Sequence, residues 1–524
     1  ISDINFPDAI YELRLSNNSI KDISQVNWPH NLKYLSLTSN EMEVVNGSKW
    51  SDNLEILDLS FNNISDITNI NLPNGLIELY IGDNEIIDIS NLRNLINIQL
   101  FSAGSNYIEN ISVIENMTNL KEVYFGSTVW WCYYFYNGSG PYSNCIAYSR
   151  DHGNNIKSVN IKWPKSITKL ELDNNKIEIL EDIDFPTGIT KLDLSYNEIN
   201  KISLEIDNLR YVYLNNNNIS GIKVPNAKTN RELNLADNNI KEINAEWTNG
   251  GIDTLVLSNN NISSIDNVVW PKNLDSLALN NNNINLINSS NFGNNLRYLI
   301  LNNNNISEMG NITWPESLQA IEVAENNITD LSWIESGINL RGIALNNNKI
   351  KNIESLSVLS KLQELHLDNN FIEDISLLES LSSLNSLSVK RQYILKVIQN
   401  NESTIELPQI IKSSTTTGSK VYSENVMTQK NCSISGENIA FDINELGNIY
   451  IMINGGNADG TIVYITDSID NQLIKSVYKV KTKEDLVKIR DNVVNNGFHD
   501  LSNSVIELEN DIDLGGTYNE TTQE

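Results

Sequence analysis

Fifteen asparagines recur through the first three quarters of the chain at nearly one interval. They are Asn18, Asn40, Asn62, Asn84, Asn106, Asn175, Asn197, Asn217, Asn238, Asn260, Asn282, Asn304, Asn326, Asn348 and Asn370. The pattern that dominates around them is Leu-x-Leu-x-x-Asn-x-Ile, and the step is 22 residues almost everywhere, with steps of 20 and 21 around Asn217 and Asn238. Gln392 follows at the same step in a decayed last copy, and Thr128 continues one register without its asparagine. A fixed period of this length specifies a solenoid. One unit cannot bury its own apolar edge, but stacked units share a continuous core.

The residue types say how each unit is built. In Tyr298-Leu299-Ile300-Leu301, alternate residues face opposite sides of a short strand, so Leu299 and Leu301 point inward. Asn304 then turns the chain, and its amide can bond backbone groups of neighbouring coils. Without such partners its burial would cost about 1–3 kcal/mol per copy. Parallel strands would form one sheet, and the wider opposite side would curve the array. A second stripe keeps the same register: Trp28, Trp50, Trp163, Phe185, Trp270, Phe292 and Trp314, several of them followed by proline. Recurrence in step with the core predicts rings packed on the convex side rather than a carbohydrate platform.

The unit Leu-x-x-Leu-x-Leu-x-x-Asn-x-Ile-x-x-Ile, with Asn273 to Ile284 as a close example, resembles the bacterial internalin-type leucine-rich repeat. The resemblance covers roughly residues 1 to 394 and departs from the family in its tryptophan-proline pairs. It implies a curved, mostly parallel-β α/β solenoid over 1–394, interrupted at about 129–160. After the array, Leu407-Pro408 and Asp459-Gly460-Thr461-Ile462-Val463 resemble the immunoglobulin-like module that abuts such repeats, placing a β-sandwich at 395–470. Alternating segments at Cys432–Ile443, Asn448–Ile453 and Gly460–Ile465 agree with short strands. From Thr482 an apolar stripe reads as a helix, followed by a strand over Val505–Leu514. This segment, 476–524, is similar to the entrance of a right-handed β-helix and reads as the start of a further module.

Charge narrows the function. Lys plus Arg number 37 and Asp plus Glu 66, a formal charge of −29. That balance excludes a phosphate-neutralising surface and a polybasic membrane contact. No stretch reaches the ~20 apolar residues of a membrane span. No signal peptide opens the chain, so it reads as a fragment of a longer secreted or cell-surface protein, bacterial by the resemblance. The four histidines, His30, His152, His366 and His499, form no nucleophile or metal motif, and no phosphate or dinucleotide loop occurs. The expectation is a binding module with no catalytic residues, metal or cofactor.

Two surfaces are candidates for that binding. The 47 residues from Thr128 to Asn175 read as one repeat plus an insertion of 25. The insertion carries Trp130, Trp131, Tyr133, Tyr134 and Tyr136 around a turn-rich tip, with Cys132 and Cys145 on either side. A disulfide between them would restrict the loop by ~2–3 kcal/mol and points to an oxidising compartment. The second candidate is the concave column between the strand leucines: Arg14, Ser36, Asp58, Tyr80, Gln99, Tyr124, Glu171, Asp193, Tyr213, Asn234, Val256, Ala278, Ile300, Glu322, Ala344, His366 and Ser388. Tyr80, Tyr124 and Tyr213 make an acidic-aromatic zone with Asp58, Glu171 and Asp193. Val256, Ala278 and Ile300 make an apolar one, and Tyr211 and Tyr298 add anchors. A protein partner with a basic patch fits best. A glycan ligand, or a role as the targeting arm of a larger carbohydrate-active enzyme, are the alternatives.

Overall fold

A computed structural model of the chain describes residues 1, 4–136, 141–149, 152–202, 208–221, 231–243, 251–288, 292–310 and 312–397, and beyond these only the strands named below. For the strands within 128–149 and after residue 394 it describes the backbone alone. Backbone contacts divide the chain into two units, 1–370 with 377–388 and 371–376 with 389–524.

The first unit is a leucine-rich-repeat solenoid. Seventeen strands of three residues, from Glu12–Arg14 to Ser386–Ser388, form one parallel sheet. The register advances one repeat per strand: Leu13 pairs with Leu35, Leu35 with Leu57, and Leu277 with Leu299. The central residue of each strand from Leu35 to Leu365 is buried, and the residue two further on usually joins it in the core.

The asparagine ladder closes every coil. Asn304 Nδ2 donates to the carbonyls of Leu279, Leu301 and Asn302 at 3.0, 3.0 and 3.3 Å, while its Oδ1 accepts from the Ile284 N–H at 3.0 Å. One side chain therefore satisfies its own turn and two backbone groups of the coil before. The residue just before each periodic ladder asparagine takes a left-handed conformation, as at Asn281, Asn303 and Asn347 (φ 57°, 53° and 56°). Asparagine tolerates that region better than other side chains. Runs such as Asn302-Asn303-Asn304 thus combine a turn residue with a ladder residue.

The side opposite the sheet is filled in two ways. Where the aromatic stripe runs, the rings stack in neighbouring coils: Trp28 on Trp50 at 6.5 Å and 0°, and Trp270 on Phe292 and Phe292 on Trp314 at 6.2 and 5.5 Å. All seven rings are buried, so they are packing elements, as their register predicts. The proline after the ring opens a turn, as in Leu274 N–H to Pro271 O at 3.1 Å. Five coils without the ring instead use 3-10 turns, at Ser90–Asn94, Ser112–Asn116, Ser332–Ile334, Glu354–Val358 and Ser376–Ser380. Each drops an aliphatic side chain into the core, such as Leu92 or Leu356.

The insertion is an antiparallel hairpin of Thr128–Tyr136 and Pro141–Ser149. It is spliced into a coil immediately before that coil's ladder residue. Asn154 fills the ladder position that the sequence register assigned to Thr128. Its Nδ2 donates to Ala103 O and Phe125 O, both at 2.9 Å, and its Oδ1 accepts from Ile108 N–H at 3.0 Å. The strands on either side, Glu122–Tyr124 and Lys169–Glu171, pair directly. The sheet therefore runs through the insertion without a break.

In the second unit, Tyr393–Val397, Thr461–Thr466, Ile449–Ile453 and Val426–Thr428 form one sheet, and Thr404–Glu406, Asn438–Phe441 and Cys432–Ser435 another. The segment read as one strand over 432–443 divides into two that pair antiparallel. Ser476–Val480 and Ser504–Leu508 pair in parallel. The helix expected from Thr482 lies outside the described residues.

Candidate functional site

The residues between the inward-facing positions form the outer face of the sheet. Its columns follow the expected order with one correction. The coil ending at Asn106 presents Ser102, not Gln99, because Phe101 and Ala103 occupy the inward positions. The unusual pair hid the register: Phe101 packs edge-on against Phe125 with centroids 5.1 Å apart, and Ala103 leaves it room.

In the first half of the sheet this face is closely packed. Tyr80 and Tyr124 are 2% and 3% exposed. The Tyr80 hydroxyl donates to Glu78 at 2.7 Å, and the Tyr124 hydroxyl donates to Glu122. Tyr34 and Tyr80 form a small cluster with Ile56 and Leu100. Asp58 lies in the same region, and burial pushes its carboxyl up to about 6 despite hydrogen bonds from Ser60.

A polar chain then crosses the sheet from Glu122 to Glu232. Lys169 Nζ contacts the Tyr124 hydroxyl at 2.8 Å and lies 4.5 Å from its ring centroid. Both Lys169 and Lys191 reach Glu171, at 3.3 and 2.6 Å. Lys191 also lies over the Tyr213 ring, whose hydroxyl donates to Glu232 at 3.3 Å. Burial first, and then Glu232, push Tyr213 up to about 12. Asp193 is pushed up to about 6 by burial and by the charge of Asp173. The sequence marked Glu171 and Tyr213 but gave no sign of the two lysines, which lie in the neighbouring column.

The second half is more open. Val256, Ala278 and Ile300 stand on three consecutive strands and are all partly exposed. Tyr211 and Tyr298 are each 39% exposed, and Tyr298 lies two residues before Ile300 on the same strand. Arg297 lies over the Tyr298 ring at 5.4 Å and is held by a two-pronged contact with Asp275.

The hairpin root lies at the end of the strand Glu122–Tyr124. Its backbone register sets Cys132 opposite Cys145, Trp130 opposite Ala147, Trp131 opposite Ile146, Tyr133 opposite Asn144, Tyr134 opposite Ser143 and Tyr136 opposite Pro141. The side chains of these residues lie outside the described ones. Among the described residues, no cluster of three His, Cys, Asp or Glu side chains could hold a metal, and no helix is long and apolar enough to cross a membrane.

Comparison with known proteins agrees with this architecture. The Leucine Rich Repeat family pattern matches residues 53–74 and 208–228. The functional domain of InlJ from Listeria monocytogenes, which includes a cysteine ladder, is similar at 18% identity and a TM-score of 0.55, over 87% of this chain and 90% of that one. A leucine-rich-repeat protein of Leptospira interrogans is 22% identical over 70% of this chain and 90% of that one, with a TM-score of 0.48. An internalin, inlF, of Listeria monocytogenes is 22% identical over 72% and 86%, with a TM-score of 0.39. No curated protein sequence matches significantly.

Proposed function

We propose that this chain is the binding part of a secreted or cell-surface protein of internalin type, recognising a protein partner and catalysing no reaction. The observation that carries the reading is the strip of Tyr211, Tyr213, Val256, Tyr298 and Ile300 on one open sheet face. Apolar and aromatic groups left partly in water, consecutive across Val256, Ala278 and Ile300, are what protein contacts use. Aromatic anchors bury much area with few rotatable bonds. Tyr80 and Tyr124 lend the face rigidity rather than contact area, because their rings are buried.

The hairpin supplies the second contact, through Trp130, Trp131, Tyr133, Tyr134 and Tyr136. A Cys132–Cys145 disulfide staples it. Directly opposed residues of an antiparallel pair have Cα atoms about 4.5–5.5 Å apart, within the range a disulfide spans. Such a bond fits an oxidising, extracellular setting. The partner carries a basic patch, since the chain's charge of −29 would speed its encounter with a positive surface. The segment 395–470 acts as an immunoglobulin-like spacer, and 476–524 belongs to a separate module.

Alanine at Tyr298 and aspartate at Ile300 test the reading. With a partner captured by the wild type, each substitution is expected to weaken binding at least tenfold while leaving the fold intact. Binding unchanged by both overturns the assignment of this face. Binding abolished by free sugars would reassign it to a glycan.

A further inference from the structure

We infer that Asp173 is a positioning residue that locks the root of the hairpin to the next coil. Ser127 is the last residue before the hairpin strand Thr128–Tyr136, and it is buried. Its backbone N–H and its hydroxyl both donate to Asp173 Oδ2, at 2.9 and 2.6 Å, across 46 residues of chain. Asp173 is 7% exposed and stands directly over Gly126, where a Cβ would lie 1.8 Å from its Oδ1. Any larger residue at 126 would displace the carboxylate that holds Ser127.

The other ties at the root among the described residues are neutral. On the preceding coil, Ser105 Oγ contacts the His152 carbonyl at 2.9 Å and the Ser127 carbonyl at 3.3 Å, so one hydroxyl touches both legs. The returning leg passes close to the following coil: a Cβ on Gly153 would lie 2.1 Å from Asn174 O. Among the described residues Asp173 is the only charged group making these contacts, and hydrogen bonds to a charged acceptor are about twice as strong as neutral ones. Its carboxylate has no other evident work. Oδ1 is buried and accepts no hydrogen bond, and burial raises the group's pKa. A buried carboxylate with one bare oxygen is destabilising in itself, so its presence here is explained by what Oδ2 holds. The hairpin thus leaves the sheet in a direction fixed from its base, independently of any disulfide further out.

This inference gains its functional meaning from the proposed role of the hairpin, but its test does not require a partner. Backbone hydrogen exchange of residues 128–149 is compared in the wild type, Asp173→Ala, Asp173→Asn and Ser127→Ala. Both alanine variants are expected to raise hairpin exchange about tenfold while Leu192, Val212 and their neighbours keep wild-type protection. Asp173→Asn, whose amide oxygen can still accept from Ser127, is expected to fall between. Hairpin exchange within twofold of wild type in the folded variants overturns the inference. If Asp173→Ala fails to fold, Ser127→Ala decides in the same way. Loss of partner binding with unchanged exchange would count against the clamp and leave the binding role standing.

Discussion

Asn154 Nδ2 donates to the Phe125 carbonyl at 2.9 Å across 29 residues of chain that contain the whole hairpin. The contact matches the one that other ladder asparagines make within their own coil, as Asn304 does to the Leu301 carbonyl, while Asn154 also donates to Ala103 O of the coil before. It shows that the insertion was accommodated without altering the stack.

Removing Thr128 to Gly153 should therefore leave a continuous solenoid, because it joins Ser127 to Asn154 and restores the 22-residue step from Asn106. The expected melting temperature lies within a few degrees of wild type, with unchanged circular dichroism. Loss of cooperative unfolding would mean that the hairpin helps to hold the array together.

The ladder itself is tested by Asn304→Ala. The variant leaves the buried Ile284 N–H without its acceptor and removes one of the two side-chain donors to Leu279 O, Asn282 remaining. A loss of about 2–4 kcal/mol is expected in urea unfolding. Asn303→Ala, which strains a left-handed residue and loses an exposed hydrogen bond to Asn281 Oδ1, should cost about 1–2 kcal/mol. Equal losses would refute the separate roles of the two neighbours.

Glu171 is nearly buried between two lysines. Lys191→Ala leaves it with Lys169 alone and should cost about 1–2 kcal/mol. Removing both lysines strands the carboxylate and should cost about 3–5 kcal/mol. Replacing Glu171 by Gln in the double variant should restore most of the loss. Failure of that rescue would show that the lysines act through packing.

Asp58 and Asp193 give stability an unusual pH dependence. Their folded pKa of about 6 exceeds the ordinary 3.8, so the folded state binds more protons between those values. Their contribution is fully present below pH 3.8 and is lost as pH rises through 6, by about 1–3 kcal/mol each. Asp58→Asn should therefore stabilise the protein at pH 8 relative to wild type and do so less at pH 4.5. An equal effect at the two pH values would show that Asp58 does not titrate in this range.

Most of this fold was legible because one physical requirement, burial of an apolar edge by stacking, repeats with the chain. Leu299, Asn304 and Trp270 each repeat a type at a fixed step, and each is buried where that step places it. The misreadings fall where the repeat is broken. Asn154 was overlooked because the hairpin shifts it off the period, although Asn154-Asn155-Ile156 preserves the local pattern. Gln99 was misplaced because Phe101 and Ala103 divide between them the volume two leucines usually fill. Burial of Tyr80 and Tyr124 could not be read from alternation, which gives the face of a residue but not how closely its neighbours cover it. The Asp173–Ser127 contact joins residues 46 apart through an irregular insertion, where no period applies.

The outer sheet face around Ile300 is proposed to recognise a protein with a positive surface. The most direct measurement is the affinity of a captured partner for the wild type and for Ile300→Asp at low and moderate salt. The expected result is at least a tenfold loss for the variant, with association to both proteins slowing as salt rises. Equal affinity in the two proteins, with association indifferent to salt, would contradict it.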